Sequence, residues 1–245
     1  MPTVSKLAQA SVVGKIKNKK QYIVHSGEDV IVDAPAEMVT KGFNYNRDIK
    51  KPKLNLKEPS LKEPQNYNVV LQELLTHENI CSRSSIYETY DKQVQGRTVF
   101  EPGEADAGVL APFNNSNYPE EIRQTGIAHS TDHNPTYGKI SPYWCGVNSV
   151  VESMRNVAAT GATPHAITDC LCFGNPEKPE QMWQFAEATK GVADACKGIR
   201  LKHNPDHTVP IIAGNVSFYN ESSAGAIPPS PIVSCLGRLS DVDKA

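Results

Sequence analysis

The stretch Gly161-Ala-Thr-Pro-His-Ala-Ile-Thr-Asp-Cys-Leu-Cys-Phe-Gly-Asn-Pro-Glu-Lys-Pro-Glu180 decides the fold. An apolar, strand-like segment runs into Gly174-Asn175, and Pro179 opens an amphipathic helix expected to reach about Arg200. Beyond that helix, Ile211-Ile-Ala-Gly-Asn-Val-Ser-Phe-Tyr-Asn-Glu221 repeats the character: apolar strand, Gly-Asn, small polar residues. Gly and Asn tolerate positive φ, so each Gly-Asn pair is read as a tight turn. Such a corner can bring backbone N–H groups close to a phosphate. The two corners are read as two edges of one nucleotide or phosphate site.

Upstream of this pair, Pro142 opens a helix predicted over Tyr143 to about Thr160. Val147, Val150, Val151, Met154, Val157 and Ala158 form its apolar face, and Gly161 ends it. Downstream, Pro231 to Leu236 reads as a last strand, antiparallel to a neighbour. Ala107–Ala111 and Gly126–Ser130 read as strands, and Thr131 to Tyr137 as an irregular polar continuation. Val69, Val70, Leu71, Leu74 and Leu75 give a helical face, and Ser82 to Tyr90 a second helix. Residues 68–245 are therefore expected to form an α/β (α+β) domain with one mixed sheet and helices on one face.

Residues 1–41 read as β-prone runs at Ser11–Ile16 and Gln21–His25, joined by Lys17 to Lys20. An alternating Asp29–Asp33 and a helical turn or two over Pro35–Thr40 follow. This is too little to close a core, and it reads as the incomplete tail of a preceding domain. Residues 42–67, with Pro52, Pro59 and Pro64 among lysines and glutamates, have linker composition: a disordered segment, or a strap along a domain surface.

The 245 residues are 39% hydrophobic and 21% charged with a net charge of −2. That balance gives no general attraction to nucleic acid or membrane. No run approaches the roughly eighteen apolar residues of a bilayer span, and the first residues lack an apolar signal core, so a cytoplasmic protein is expected. Six cysteines at 81, 145, 170, 172, 196 and 235 read as reduced, mostly buried thiols. Cys170-Leu-Cys172 is read as a strand whose thiols face opposite sides, which suits neither a zinc knuckle nor a disulfide.

Among chemical candidates, Gly214-Asn215-Val216-Ser217 offers amides and side chains that can hold phosphate oxygens or the oxygen shell of Mg²⁺, although the tetrapeptide taken alone reads first as a bare tight turn. Asp169 sits in an apolar run and needs a partner, whether a salt bridge, a helix cap or a ligand. His133 in Thr131-Asp-His-Asn134 is an acid or base by its ordinary pKa, or a surface loop residue. Tyr143 and Trp144 read as core packing rather than a stacking platform. The lysines at 17–20 and 50–57 read as solvated. No Walker-type phosphate loop and no Gly-x-Gly-x-x-Gly occurs.

Several of these segments, in the same order, resemble phosphoribosylformylglycinamidine synthase, in its large subunit or synthetase part. They are Asn79-Ile80 through Tyr87-Glu-x-Tyr-Asp-x-Gln-Val-Gln95, Thr131-Asp-x-Asn-Pro135 with Pro142-Tyr143, Ala166-x-Thr-Asp-Cys-Leu-x-Phe-Gly-Asn-Pro-Glu-Lys-Pro-Glu-x-Met-Trp-Gln184, and Gly214-Asn-Val-Ser-x-Tyr-Asn-Glu221. The resemblance covers about residues 68–243, and residues 11–53 resemble the end of the preceding domain. It implies the second-half nucleotide domain of a synthetase, with the fold of the N-terminal domain of aminoimidazole ribonucleotide synthetase-like ligases.

The activity implied is a step of purine synthesis: formylglycinamide ribonucleotide, ATP and glutamine-derived ammonia give formylglycinamidine ribonucleotide, ADP and phosphate. By position in the family's motifs, Asp169 and Gly214 are the ATP contacts, Asn215 the magnesium ligand and Ser217 the substrate contact. The family's catalytic histidine has no counterpart here. In Ser130-Thr-Asp-His-Asn-Pro135, Asp132 falls at its place, so no catalytic residue is assigned and the chain alone is not expected to be catalytically complete. Cys172 stands where the family usually carries Asn, and Ala213 where it usually carries Gly; Ile199 to Thr208 is longer than expected. The implied partners are the remaining synthetase domains and a glutaminase domain or subunit. A homodimer or another chain is also expected to bury the helix around Tyr143 or the sheet edge. A non-catalytic nucleotide-binding scaffold, or an inactive remnant, stays open as an alternative.

Overall fold

The computed structural model describes residues 11–245, so residues 1–10 of the expected tail over 1–41 lie outside the described residues. The described residues fall into two compact units, one ending at Asn46 and the other running from Arg47 to Ala245. In the first, β1 (Gln21–Ser26) and β2 (Asp29–Pro35) pair antiparallel and are followed by α1 (Ala36–Lys41). The turn sits at Gly27, whose φ of +62° is the left-handed conformation glycine tolerates. The hairpin is thus made by Ser26-Gly27-Glu28, and the expected strand over Ser11–Ile16 does not form. Val13 and Ile16 there are fully exposed, with no partner strand among the described residues.

In the second unit, the early elements are α2 (Tyr67–Thr76), α3 (Ser84–Tyr87), β3 (Thr98–Phe100) and β4 (Gly108–Leu110). The middle carries β5 (Gly126–Asp132), α4 (Pro135–Ile140), α5 (Pro142–Ala159), β6 (Thr163–Cys172) and α6 (Pro179–Gly198). After these come β7 (Arg200–Leu201), β8 (Asn204–Thr208), β9 (Ile211–Ser217), β10 (Glu221–Ser222), β11 (Gly225–Ala226) and β12 (Ser230–Leu239). Six strands form one sheet in the order β3-β4-β5-β12-β6-β9, antiparallel throughout except for the parallel β6–β9 pair. The crossover between those two strands carries α6, as a parallel connection within one sheet requires.

α5 and α6 lie on one face of the sheet, where Val150, Met154, Val157, Ile167, Val192, Val233 and Cys235 close the core. Alternation along the strands then assigns the opposite face to Ile127, His129 and Thr131 of β5, Ser234, Leu236 and Arg238 of β12, and Thr168, Cys170 and Cys172 of β6. Leu110 and Leu236 remain substantially exposed, as do Trp144 on α5 and the apolar side chains Val69, Leu71, Leu74 and Leu75 of α2.

The differences from the sequence reading have local causes. Thr131 and Asp132 continue β5, and Pro135 opens α4 after Asn134, whose Oδ1 accepts hydrogen bonds from the backbone N–H groups of Thr136 and Tyr137. The region expected as a longer helix at Ser82–Tyr90 keeps only Ser84–Tyr87. The extra length after α6 is the β7–β8 hairpin, on which His203 stacks against His165 at 3.9 Å. At the other end of α6, residues 47–51 lie against its first turns. The Lys50 N–H donates to the Pro179 carbonyl, Lys50 pairs with Glu180 at 3.3 Å, and the Lys51 ammonium stands 5.8 Å from the Trp183 ring centroid.

Candidate nucleotide site

The two key stretches meet through their backbones. Besides the β6–β9 ladder, the Phe173 N–H donates to the Ser217 carbonyl at 2.9 Å and the Tyr219 N–H to the Gly174 carbonyl at 3.1 Å. The Asn220 side-chain amide donates to the carbonyls of Phe173 and Ser217 at 3.0 and 2.9 Å and to Ser217 Oγ at 3.1 Å. Asn220 is therefore the joint of the corner. It lies within the quoted stretch, but its role depends on a contact with a residue 47 positions earlier, which no local pattern announces. Two ionic or hydroxyl contacts brace the same corner from outside: Lys178 with Glu221 at 2.9 Å, and Tyr219 Oη donating to Glu177 at 3.1 Å.

Neither Gly174 nor Gly214 takes a positive φ. Gly214-Asn215 lies inside β9, and the left-handed residue of the corner is instead Tyr219, at +61°. Gly214 is needed for space. A Cβ there would stand 2.5 Å from Asp169 Oδ1 and 2.7 Å from Oδ2, because Asp169 and Gly214 are partners in the parallel register. Gly174 is hemmed in likewise by the Gln181 side chain and Ala226 Cβ, at 2.5 and 2.8 Å.

Asp169 is half-buried on the helix side of the sheet, in line with Ile167 and Leu171 and near the Cys196 thiol of α6. Among the described residues its carboxylate has neither a hydrogen-bond donor nor a cation as partner. Burial pushes its pKa above the usual carboxylate value. The salt bridge or helix cap that would make it purely structural is thus missing. Asn215, one register position further, leaves the strand on the other face, where its Nδ2 lies 3.5 Å from Cys170 Sγ. Ser217 ends the strand, paired in register with Cys172 and held by Asn220. The sheet edge therefore gathers Asp169 and Gly214 on one side and Asn215 and Ser217 on the other.

Cys170 and Cys172 share that second face, with their sulfurs 3.7 Å apart. The expectation of opposite faces is corrected: residues two apart on a strand point the same way. All six cysteines are free thiols, and Cys145, Cys196 and Cys235 are buried; burial pushes their pKa values up to about 11, 11 and 12.

The polar segment before α4 is committed to structure. Asp132 accepts from Ser130 Oγ and, at 2.9 Å, from Asn156 Nδ2. His133 is half-buried 3.8 Å from Cys145 Sγ, and that burial lowers its pKa. Tyr143 donates its hydroxyl to Asp194 at 3.2 Å. A hollow of about 390 Å³ lies elsewhere, against β3, β4 and β5, lined by Tyr87, Tyr90, Lys92, Phe100, Leu110 and His129 among others. β12 lies between β5, which lines this hollow, and β6, which carries Asp169, and the sequence gives no sign of the hollow beyond aromatic spacing. Among the described residues no helix is long and apolar enough to cross a membrane, and no cluster of three or more His, Cys, Asp or Glu gathers as metal ligands.

Residues 104–239 match the family described as AIR synthase related protein, N-terminal domain. Over its whole length the chain is 49% identical to the phosphoribosylformylglycinamidine synthase subunit PurL of Methanothrix thermoacetophila, and it spans 31% of that protein. It is 42% identical over 96% of its length to the PurL subunit of Methanocaldococcus jannaschii, again spanning 31% of the relative. The fold is that of PurL from Thermotoga maritima. In the structure described as PurLQS, 92% of this chain superposes with a TM-score of 0.63 at 21% identity, covering 32% of the matched chain. In a structure of T. maritima PurL complexed with ATP the TM-score is 0.59 at 22% identity. The chain thus spans about a third of the length of the relatives it matches. With the mixed six-stranded sheet, its one-sided helices and a profile match over more than half of the sequence, this protein belongs to the AIR synthase related family and carries that family's N-terminal domain.

Proposed function

We propose that this chain is a nucleotide-binding portion of a phosphoribosylformylglycinamidine synthase, a ligase that makes formylglycinamidine ribonucleotide from formylglycinamide ribonucleotide, ATP and ammonia. The observation that carries this reading is the 49% identity to a PurL subunit along the whole chain. In this reading Asp169 and Gly214 contact ATP, Asn215 serves Mg²⁺ and Ser217 the ribonucleotide. A half-buried carboxylate with no partner among the described residues, on a strand edge where the neighbouring residue is a glycine, suits a site that takes a cation-bound phosphate. When bound, Mg²⁺ neutralises phosphate charge and makes the terminal phosphoryl group easier to transfer.

The chain's own residues then have three tasks. Asn220 fixes the corner by tying Phe173 to Ser217. Asp169 holds negative charge on the helix side of the strand edge. Asn215 and Ser217 offer an amide and a hydroxyl on the other side. Such fixed polar groups lower a barrier because they need not reorganise as charge moves. No residue here is placed as the base. The remaining synthetase domains supply that function, a glutaminase subunit supplies ammonia, and the reaction runs in the cytoplasm.

Complementation tests the reading. Combined with the polypeptide that corresponds to the rest of a PurL subunit, the chain is expected to restore ammonia- and ATP-dependent formation of the amidine product. Absence of turnover, with both polypeptides folded and associated, would overturn it.

A further inference from the structure

The two thiols of β6 form a group that the nucleotide reading leaves unused. Cys170 and Cys172 project from the same face of one strand, both half-buried, with their sulfurs 3.7 Å apart. A disulfide does not suit them. Along an extended strand the Cβ atoms of residues two apart stay roughly 6.6 Å apart, whereas a disulfide needs about 3.5–4.5 Å. The pair therefore persists as a dithiol whose sulfurs converge without being able to join easily.

That separation does suit a single metal ion between them. With metal–sulfur bonds of about 2.3 Å, two sulfurs 3.7 Å apart subtend an angle of about 107° at the ion, close to the tetrahedral value. The surroundings select the type of ion. No carboxylate or imidazole lies in register beside the pair: the partners of Cys170 are Ile232 and Asn215, and those of Cys172 are Ser230 and Ser217. Sulfur donors with neutral neighbours favour soft or borderline ions over Mg²⁺ or Ca²⁺. The Asn215 Nδ2 donates to Cys170 Sγ at 3.5 Å, a hydrogen bond that favours the thiolate form a metal ligand must take, and water fills the remaining positions on the ion.

We propose that Cys170 and Cys172 form a binding site for a divalent d¹⁰ cation of the Zn²⁺ and Cd²⁺ class. Two S–H bonds break and two S–metal bonds form, and the two protons leave to water, with no change of oxidation state. The site goes beyond the nucleotide reading, since that reading assigns neither thiol a role, and its test uses no nucleotide, so each can fail alone.

The probe is Cd²⁺ alone, titrated into the reduced full chain and followed by the ultraviolet thiolate-to-cadmium charge-transfer band. The expected result is a band that saturates at one ion per chain, is lost in both Cys170→Ser and Cys172→Ser, and is retained in Cys81→Ser. No band in the unaltered chain, or a band that survives in either of the first two variants, would overturn the proposal. A second measurement needs no variant. Bound Cd²⁺ is expected to protect the peptide carrying Cys170 and Cys172 from alkylation, as read by mass spectrometry, and protection confined to other cysteines would contradict the site.

Discussion

Replacing Asp169 by asparagine is expected to weaken Mg·ATP binding by about 10- to 100-fold, the equivalent of losing one hydrogen bond or pairing to a charged group worth about 1.5–3 kcal/mol. The same substitution is expected to raise thermal stability at neutral pH. Among the described residues the half-buried carboxylate has no partner, and burial raises its pKa in the folded chain above the unfolded value. Between those two values the folded state binds more protons than the unfolded state, so stability falls as pH rises through the window. Above the raised pKa the ionised carboxylate is a standing cost, which the neutral amide of Asp169→Asn removes. Below the unfolded value Asp169 is protonated in both states, and the stability gain disappears. Melting curves of the two proteins at neutral and acid pH check the sign, and isothermal titration checks the affinity. Gly214→Ala should reproduce the loss of affinity, because its Cβ would displace the Asp169 carboxylate it would otherwise meet at 2.5 Å. An Asp169→Asn protein that binds Mg·ATP as tightly as the original would remove Asp169 from the site.

The largest effect on stability is expected where α5 and α6 cross. A Cβ on Gly191 would run into the backbone carbonyl of Tyr143, and one on Gly146 into that of Ala188. These obstacles are main-chain atoms of buried helix faces, which cannot swing aside as a side-chain tip can. Overpacking of this kind typically costs about 1–3 kcal/mol. Gly191→Ala is expected at the upper end, a fall in melting temperature of roughly 6–12 °C for a chain of this size. Gly198→Ala is the control. It ends the same helix, a Cβ there meets nothing within 4 Å, and better helix propensity makes it neutral or stabilising. Equal melting temperatures for the Gly191→Ala and Gly198→Ala proteins would show that the helices do not approach as closely as described.

The long elements are legible because their periodicity is written in many residues. The apolar positions of α5 repeat over five turns with Pro142 and Gly161 as punctuation, and α6 and β12 are comparably well marked. Strands as short as β3 and β7 carry no period, and β8 is exposed throughout; their existence depends on partners elsewhere in the chain. The same limit applies to the site. Gly-Asn reads as a turn because propensity describes φ, yet Gly214 is extended and is required by a carboxylate on the next strand. The convergence of Cys170 and Cys172, by contrast, follows from strand alternation, which the reading of opposite faces misapplies. The unpartnered state of Asp169 is not legible, since only the packed structure shows which cations come near.

The strand edge formed by Asp169 and Gly214 to Ser217 is held to receive the nucleotide and its ion. Amide line broadening of the ¹⁵N-labelled chain by Mn·ATP tests this without any mutation. The signals of Asp169, Gly214, Asn215 and Ser217 are expected to be lost first; broadening centred instead on Tyr87, Leu110 and His129, with the β6–β9 edge unaffected, would contradict a nucleotide site at this edge.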